Sequence, residues 1–170
     1  LSAMDDFADD DWLTEHLPAA MHAHPYRSSL GPIGGGNHFA ELQKIDEVLD
    51  ADAFAQAGLN TQDLQLLVHS GSRGLGEHIL RRHLAVFSHD GIAGECPDAR
   101  EYLAEHDDAR AFARLNRALI ARRILQHIGV EGVQCLDLTH NFVEQATVDG
   151  QQGWLHRKGA TPDGQGMVVI

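Results

Sequence analysis

At 170 residues, with 43% apolar and 22% charged content, the chain can bury one core of single-domain size, which excludes a disordered polymer. No apolar run approaches the roughly 20 residues that span a bilayer, and no basic-then-apolar leader opens the sequence, so no membrane contact and a cytoplasmic location are expected. The net charge of −12 argues against a nucleic-acid binder on average, yet residues 5–15 hold six acids and no Lys or Arg, whereas nine of the thirteen basic residues lie between Arg73 and Arg123.

Residues 5–21 place Trp12, Leu13, Leu17 and Ala20 on one helical face, with acids in front where the helix dipole favours them. A peripheral acidic helix over about 5–22 is expected, ended by Pro25, with a core over about 28–170. Residues 28–37 are loop-like because Gly31, Pro32, Gly34, Gly35 and Gly36 suit neither helix nor strand. Residues 38–48 alternate as a strand running into a turn. Residues 64–69 form a short apolar run, expected as a buried strand that delivers His69 to the loop 70–76. Residues 75–88 turn helical. Residues 98–128 are the clearest helix, with Leu103, Phe112, Leu115, Leu119, Ile124, Leu125 and Ile128 at three- and four-residue steps and arginines between them. Strands are expected over 135–138 and 142–148, then an Asp149-Gly150 hairpin into 153–156, and a further strand beginning at 167. No internal repeat appears, which favours one unit of mixed helices and strands.

Cys96 and Cys135 lack the paired spacing of a zinc knuckle and are too few for a disulfide framework. Twelve histidines are the informative excess, since neutral imidazole is the commonest transition-metal ligand. Three of them stand apart. His38 follows a glycine run and is flanked by Asn37 and Glu41. His69 precedes Ser70-Gly71-Ser72-Arg73-Gly74, whose amides, hydroxyls and guanidinium suit phosphate oxygens ahead of a helix. His140 pairs with Asn141 at a strand turn. Taken singly, each histidine reads equally as packing or a solvated side chain, and such long separations carry no fixed metal-ligand signature. Imidazole nitrogens would suit manganese, iron, zinc or copper alike. His38, His69 and His140 are expected to converge, each with its second ring nitrogen held by a polar neighbour, while His16, His22, His24 and His106 stay outside the cluster.

Four blocks in order sharpen this reading: Gly-Gly-Gly-Asn-His-Phe-Ala-Glu at 34–41, Val-His-Ser-Gly-Ser-Arg-Gly-Leu-Gly at 68–76, His-Asn-Phe-Val at 140–143 and Arg-Lys-Gly-Ala at 157–160. Together they resemble the RtcB family of RNA-splicing ligases, and the helical stretch 112–117 is similar to that family's long central helix. The resemblance implies an α+β fold of which this chain would be a middle segment, incomplete at both ends. It implies an enzyme that joins RNA 2′,3′-cyclic phosphate or 3′-phosphate ends to 5′-hydroxyl ends using GTP and two Mn2+ ions, with RNA ends and GTP as partners and an accessory activating protein as a further one. Carried over by position, His38 would ligate one metal, and His69 and His140 the other. Asn37, His38, Phe39, Ala40, Glu41, His140 and Asn141 would contact the guanylate, with Glu41 on the base. Ser72, Arg73, Arg157 and Lys158 would be RNA or phosphate contacts, although solvated charge or a structural ion pair reads as well for each cation.

The departures are equally specific. The family's upstream Asp and metal-bridging Cys have no match in residues 1–30. Its nucleophilic histidine lies in a Ser-His-Gly-Ala-Gly-like motif expected beyond Ile170, so no catalytic nucleophile is assigned within the chain, and the segment alone is expected to be inactive. Two other readings stand beside the ligase: a non-catalytic metal-binding RNA-repair accessory module, which the acidic balance favours, and a metal-dependent cyclic phosphodiesterase.

Overall fold

A computed structural model describes residues 10–162 of the chain. Helix α1, Asp10–His16, is followed by two 3-10 turns, Ala19–Met21 and Pro25–Ser29. The helix stops well short of the expected end because Pro18 disfavours helical geometry at the residue before it. Its part before Asp10 lies outside the described residues. Leu13, Leu17 and Met21 are buried in the main apolar cluster. The segment packs this apolar face against the core while most of its other positions stay exposed.

Strand β1, Phe39–Lys44, leaves the glycine-rich loop and pairs antiparallel with β2, Leu64–His69, with Phe39 opposite His69. Between them sits α2, Ala51–Gln56, which sequence reading missed although Asp50 is a good cap: its carboxylate accepts the Ala53 N–H at 2.9 Å. Strand β2 is only half-buried, and Leu64 is 65% exposed, because a two-stranded ribbon has little sheet to cover its faces. The expectation of a buried strand is corrected accordingly.

Helix α3, Gly74–Phe87, and helix α4, Pro97–Ile128, follow. Helix α4 begins with Pro97 in its first turn, where a missing N–H costs nothing, and ends at Gly129 in the left-handed region. Together α1, α3 and α4 enclose the core, which includes Leu13, Leu17, Leu75, Ile79, Phe112, Leu115 and Leu119. Phe112, Asn116 and Leu119 are fully buried at a spacing of four and three residues, one stripe of a single helix.

No strand forms over 135–138. Asp137 there is gripped by Arg117 at 2.6 Å and by Arg114 at 3.2 Å, which lays the segment along α4 and keeps it out of any ladder. The hairpin of β3, Asn141–Val148, and β4, Gln151–Lys158, forms as expected. Its turn residues Asp149 and Gly150 both have positive φ, the geometry that matches strand twist in a two-residue loop. With helices and two separate antiparallel ribbons, the architecture is α+β. The strand expected from residue 167 lies outside the described residues. Among the described residues no helix is long and apolar enough to cross a membrane.

The hairpin is tied to α4 by His106, whose Nε2 accepts the Val143 N–H at 3.1 Å. Nδ1 then carries the proton and lies 3.4 Å from Asp107 Oδ1. Burial lowers the His106 pKa, Asp107 opposes the shift, and Arg110 and His156 add to it. A folded value below the ordinary one of about 6.5 means that the neutral ring stabilises fully above that pH, and that this stability is lost as pH falls through the folded value. Between about pH 7 and pH 5, the wild type should lose stability more steeply than His106→Gln, whose amide oxygen can still accept from Val143. Urea midpoints measured at each pH should diverge on the acid side, and parallel curves would remove His106 from the pH response.

Candidate functional site

The ladder fixes the first pair of histidines. Since Phe39 lies opposite His69, His38 falls one residue off the ribbon's end, and the two imidazole centroids stand 5.9 Å apart. His140 arrives from the irregular segment ahead of β3 and meets the His69 ring edge-on at 5.1 Å. Residues 31 and 71 positions apart in sequence thus form a row with His69 at its centre. The Phe39 ring closes one side at 5.3 Å from His69. The other histidines singled out are engaged elsewhere: His16 bonds the Trp12 carbonyl, His22 the Leu17 carbonyl, His24 caps Tyr26, and His106 holds β3.

A buried polar network sets the row in place. Asn116, fully buried on α4, accepts the Gly31 N–H at 2.8 Å and donates to Ser70 Oγ at 2.9 Å. Ser70 Oγ in turn donates to the Ile33 carbonyl at 2.7 Å. Arg117 donates to the Ser70 carbonyl at 3.1 Å and pairs with Asp137. One turn of α4 therefore grips the glycine-rich loop, the end of β2 and the segment leading to His140. Sequence reading noticed Asn116 and Arg117 only inside a familiar block and missed Asp137. The available signal was a polar residue on the apolar stripe of α4.

Arg73 closes the site from the α3 side. Its Nη1 donates to His38 Nδ1 at 3.1 Å, and its backbone sits at φ 56°, ψ −142°, a conformation that costs a non-glycine residue roughly 1–3 kcal/mol. The guanidinium occupies space that only a glycine leaves free, because a Cβ on Gly34 would overlap it. His38, Gly71, Ser72, Arg73, Gly74 and Glu77 line an open hollow of about 380 Å³. A second hollow, about 460 Å³, is bounded by Leu13, His22, His24 and Leu30 among others and contains none of the three histidines.

The remaining candidates are less uniform. Strand alternation puts Glu41 on the same ribbon face as Phe39 and His69. It is exposed, and its Oε1 accepts from Gln43 at 2.6 Å. Ala40 faces the other side. Asn37 is exposed on the loop. Asn141 Oδ1 accepts the Gly159 N–H at 2.7 Å, and the Ala160 N–H reaches the His140 carbonyl at 3.0 Å, so the end of β4 braces His140. Arg157 is held by Glu144 at 2.7 Å across the hairpin with its guanidinium near the Phe142 ring, an ion pair of structural kind. Lys158 is exposed opposite Asn141.

Electrostatics favour neutral imidazoles at the two ends of the row, His38 and His140. The His38 pKa is lowered by burial, then by Arg73 and His69; that of His140 is lowered by burial, then by His69 and Arg117. A neutral ring keeps one nitrogen lone pair for a metal. The 5.1 Å spacing of His69 and His140 suits two imidazoles sharing one ion, which at nitrogen–metal bonds near 2.1 Å places centroids about 5 Å apart. Among the described residues, however, no group of three or more His, Cys, Asp or Glu could by itself hold a metal ion. The donors fit a metal as a partial ligand set, two rings together and a third alongside. Of the polar neighbours expected to hold the second nitrogen of each ring, none takes that role: Arg73 reaches His38, but a guanidinium can only donate and so takes an acceptor nitrogen rather than holding a ring N–H. Among the described residues His69 and His140 make ring contacts but no side-chain hydrogen bond.

The family described as tRNA-splicing ligase RtcB matches residues 9–169. RNA-splicing ligase RtcB2 of Escherichia coli is 61% identical over the whole chain, which covers 45% of that protein. The tRNA-splicing ligase RtcB of Nanoarchaeum equitans is 33% identical over 92% of the chain and 37% of its own length. The RNA-splicing ligase RtcB of Mycobacterium tuberculosis is 34% identical over 78% of the chain and 36% of its own length. The chain thus spans less than half the length of these relatives.

Proposed function

Because the chain belongs to the RtcB family of tRNA-splicing ligases, we propose that it supplies metal ligands and nucleotide grip to a GTP- and manganese-dependent enzyme joining RNA 2′,3′-cyclic phosphate or 3′-phosphate ends to 5′-hydroxyl ends. The observation that carries this reading is the His38–His69–His140 row, assembled from three distant segments beside an arginine-bearing loop. His69 and His140 would hold one ion, and His38 would contribute to a second. When bound, the metals supply charge neutralisation for triphosphate and RNA phosphate oxygens.

The chain's own residues would do the rest of the positioning. Glu41, on the ribbon face shared with His69, would accept hydrogen bonds from a guanine edge, while Asn37 and the Asn141 amide frame the nucleotide. Ser72 and Arg73 would meet phosphate oxygens at the mouth of the hollow. Arg157 is committed to Glu144, so its contribution would be to hold the hairpin that carries Asn141 and His140. The covalent guanylate carrier would be a histidine outside this chain, and a helper protein remains part of the proposal. A second reading, a metal-binding accessory module that does not seal ends, draws support from the net charge of −12.

Two variants of the intact protein test the division of labour. Glu41→Ala should raise the GTP concentration needed for guanylylation about tenfold, the scale of one lost hydrogen bond to a charged acceptor, with bound manganese unchanged. His38→Ala should lose one metal and with it both guanylylation and sealing. Metal analysis and gel assays of GMP transfer and end joining read both. Equal metal loss in the two variants, or near-normal sealing by His38→Ala, would overturn the assignment; manganese binding with neither GMP transfer nor sealing by the wild type would favour the accessory reading.

A further inference from the structure

We propose that Arg73 is a positioning residue that competes with a metal for the lone pair of His38 and must be displaced before His38 can ligate. The inference rests on His38 being a metal ligand. A guanidinium has donors only, so the 3.1 Å contact from Arg73 Nη1 to His38 Nδ1 uses that nitrogen's lone pair. In a neutral ring the proton is then on Nε2, and neither nitrogen has a lone pair to offer. With this contact in place, His38 cannot bind a metal through either atom. Ligation requires that Arg73 withdraw, whether the metal takes Nδ1 or the ring changes tautomer to expose Nε2.

Two further observations show that the contact is built. Arg73 reaches His38 from a left-handed backbone conformation unusual for a residue with a side chain, and its guanidinium lies where any Cβ on Gly34 would overlap it. Gly34 itself sits at φ 107°, a conformation that already favours glycine, and the arginine crosses the loop over that position. Metal entry and arginine release become one exchange, and the freed guanidinium remains in the hollow beside Ser72, placed for an oxyanion. By reciprocity, whatever draws Arg73 away from His38 strengthens metal binding there by the same factor.

The test is manganese binding by the intact protein, followed by calorimetry in the absence of nucleotide and RNA. Arg73→Ala should tighten the manganese site that includes His38 about tenfold, the value of a charge-assisted hydrogen bond that no longer has to be broken. In a His38→Ala background the Arg73→Ala effect should vanish, which separates displacement from simple loss of a positive charge. Unchanged or weaker binding in Arg73→Ala would overturn the proposal, as would tightening that persists without His38. If His38→Ala alone leaves manganese binding intact, the ligand assignment itself fails. Nitrogen chemical shifts of the metal-free protein provide an independent check: His38 should be the Nε2–H tautomer in the wild type and lose that preference in Arg73→Ala.

Discussion

Replacing Asn116 with leucine should be among the most damaging substitutions in the chain. The side chain is 0% exposed, and leucine keeps its branched heavy-atom skeleton, with bulkier methyl groups, while removing both its hydrogen-bonding functions. The Gly31 N–H would lose its acceptor and Ser70 Oγ its donor, each left in a site water does not reach. At roughly 1–3 kcal/mol for an abandoned buried polar group, a loss of about 2–4 kcal/mol is expected. Ser70→Ala, which removes one hydroxyl from the same network, should cost about 1 kcal/mol. Urea unfolding of the two variants at neutral pH tests the ranking, and a leucine variant within about 0.5 kcal/mol of the wild type would show that the network contributes no stability.

His69→Ala should produce the largest loss of metal. Its ring is the one that neighbours both His38 and His140, so its removal deprives one ion of a ligand and leaves a gap beside the other. Changes in groups that merely orient a ligand commonly cost ten- to a hundredfold in affinity, so loss of a ligand itself should reach about a hundredfold or more. Manganese titration of the intact protein should show this, with His16→Ala, which sits on α1 against Trp12, as the control that binds normally. Comparable losses in the two variants would mean that the histidine row has no special relation to metal.

Helix α4, the separate strands β1 and β2 and the Asp149-Gly150 hairpin were legible in the sequence because each rests on local rules: apolar periodicity, alternation between glycine-rich breaks, and a two-residue turn needing positive φ; the pairing of β1 with β2 was not. The expected strand over 135–138 failed for a non-local reason, since Asp137 answers to Arg114 and Arg117 on a helix some twenty residues away. Helix α2 was missed because six residues are too few for a periodic signal, although its cap was visible. In the site, the three histidines were identifiable from their neighbours and from the four ordered blocks. The Arg73–His38 contact was not, because pairing across 35 positions depends on how the loop folds over Gly34. Asn116 illustrates the same limit: an amide on an apolar stripe announces that something is bonded, without saying what.

The spacing of attachments along α4 restricts how the gene can vary. His106 faces the hairpin that carries Asn141, whereas Asn116 and Arg117 face the glycine loop and the end of β2. One inserted or deleted residue between them would turn one set of attachments by about 100° and shift it by about 1.5 Å relative to the other, far more than hydrogen bonds tolerate. Codon gains and losses should therefore be selected against between His106 and Asn116, while the exposed stretch around residues 89–95 and the turn after Gly129 can change length without altering the helical phase. Among natural variants of this chain, that interval should evolve by substitution at constant length.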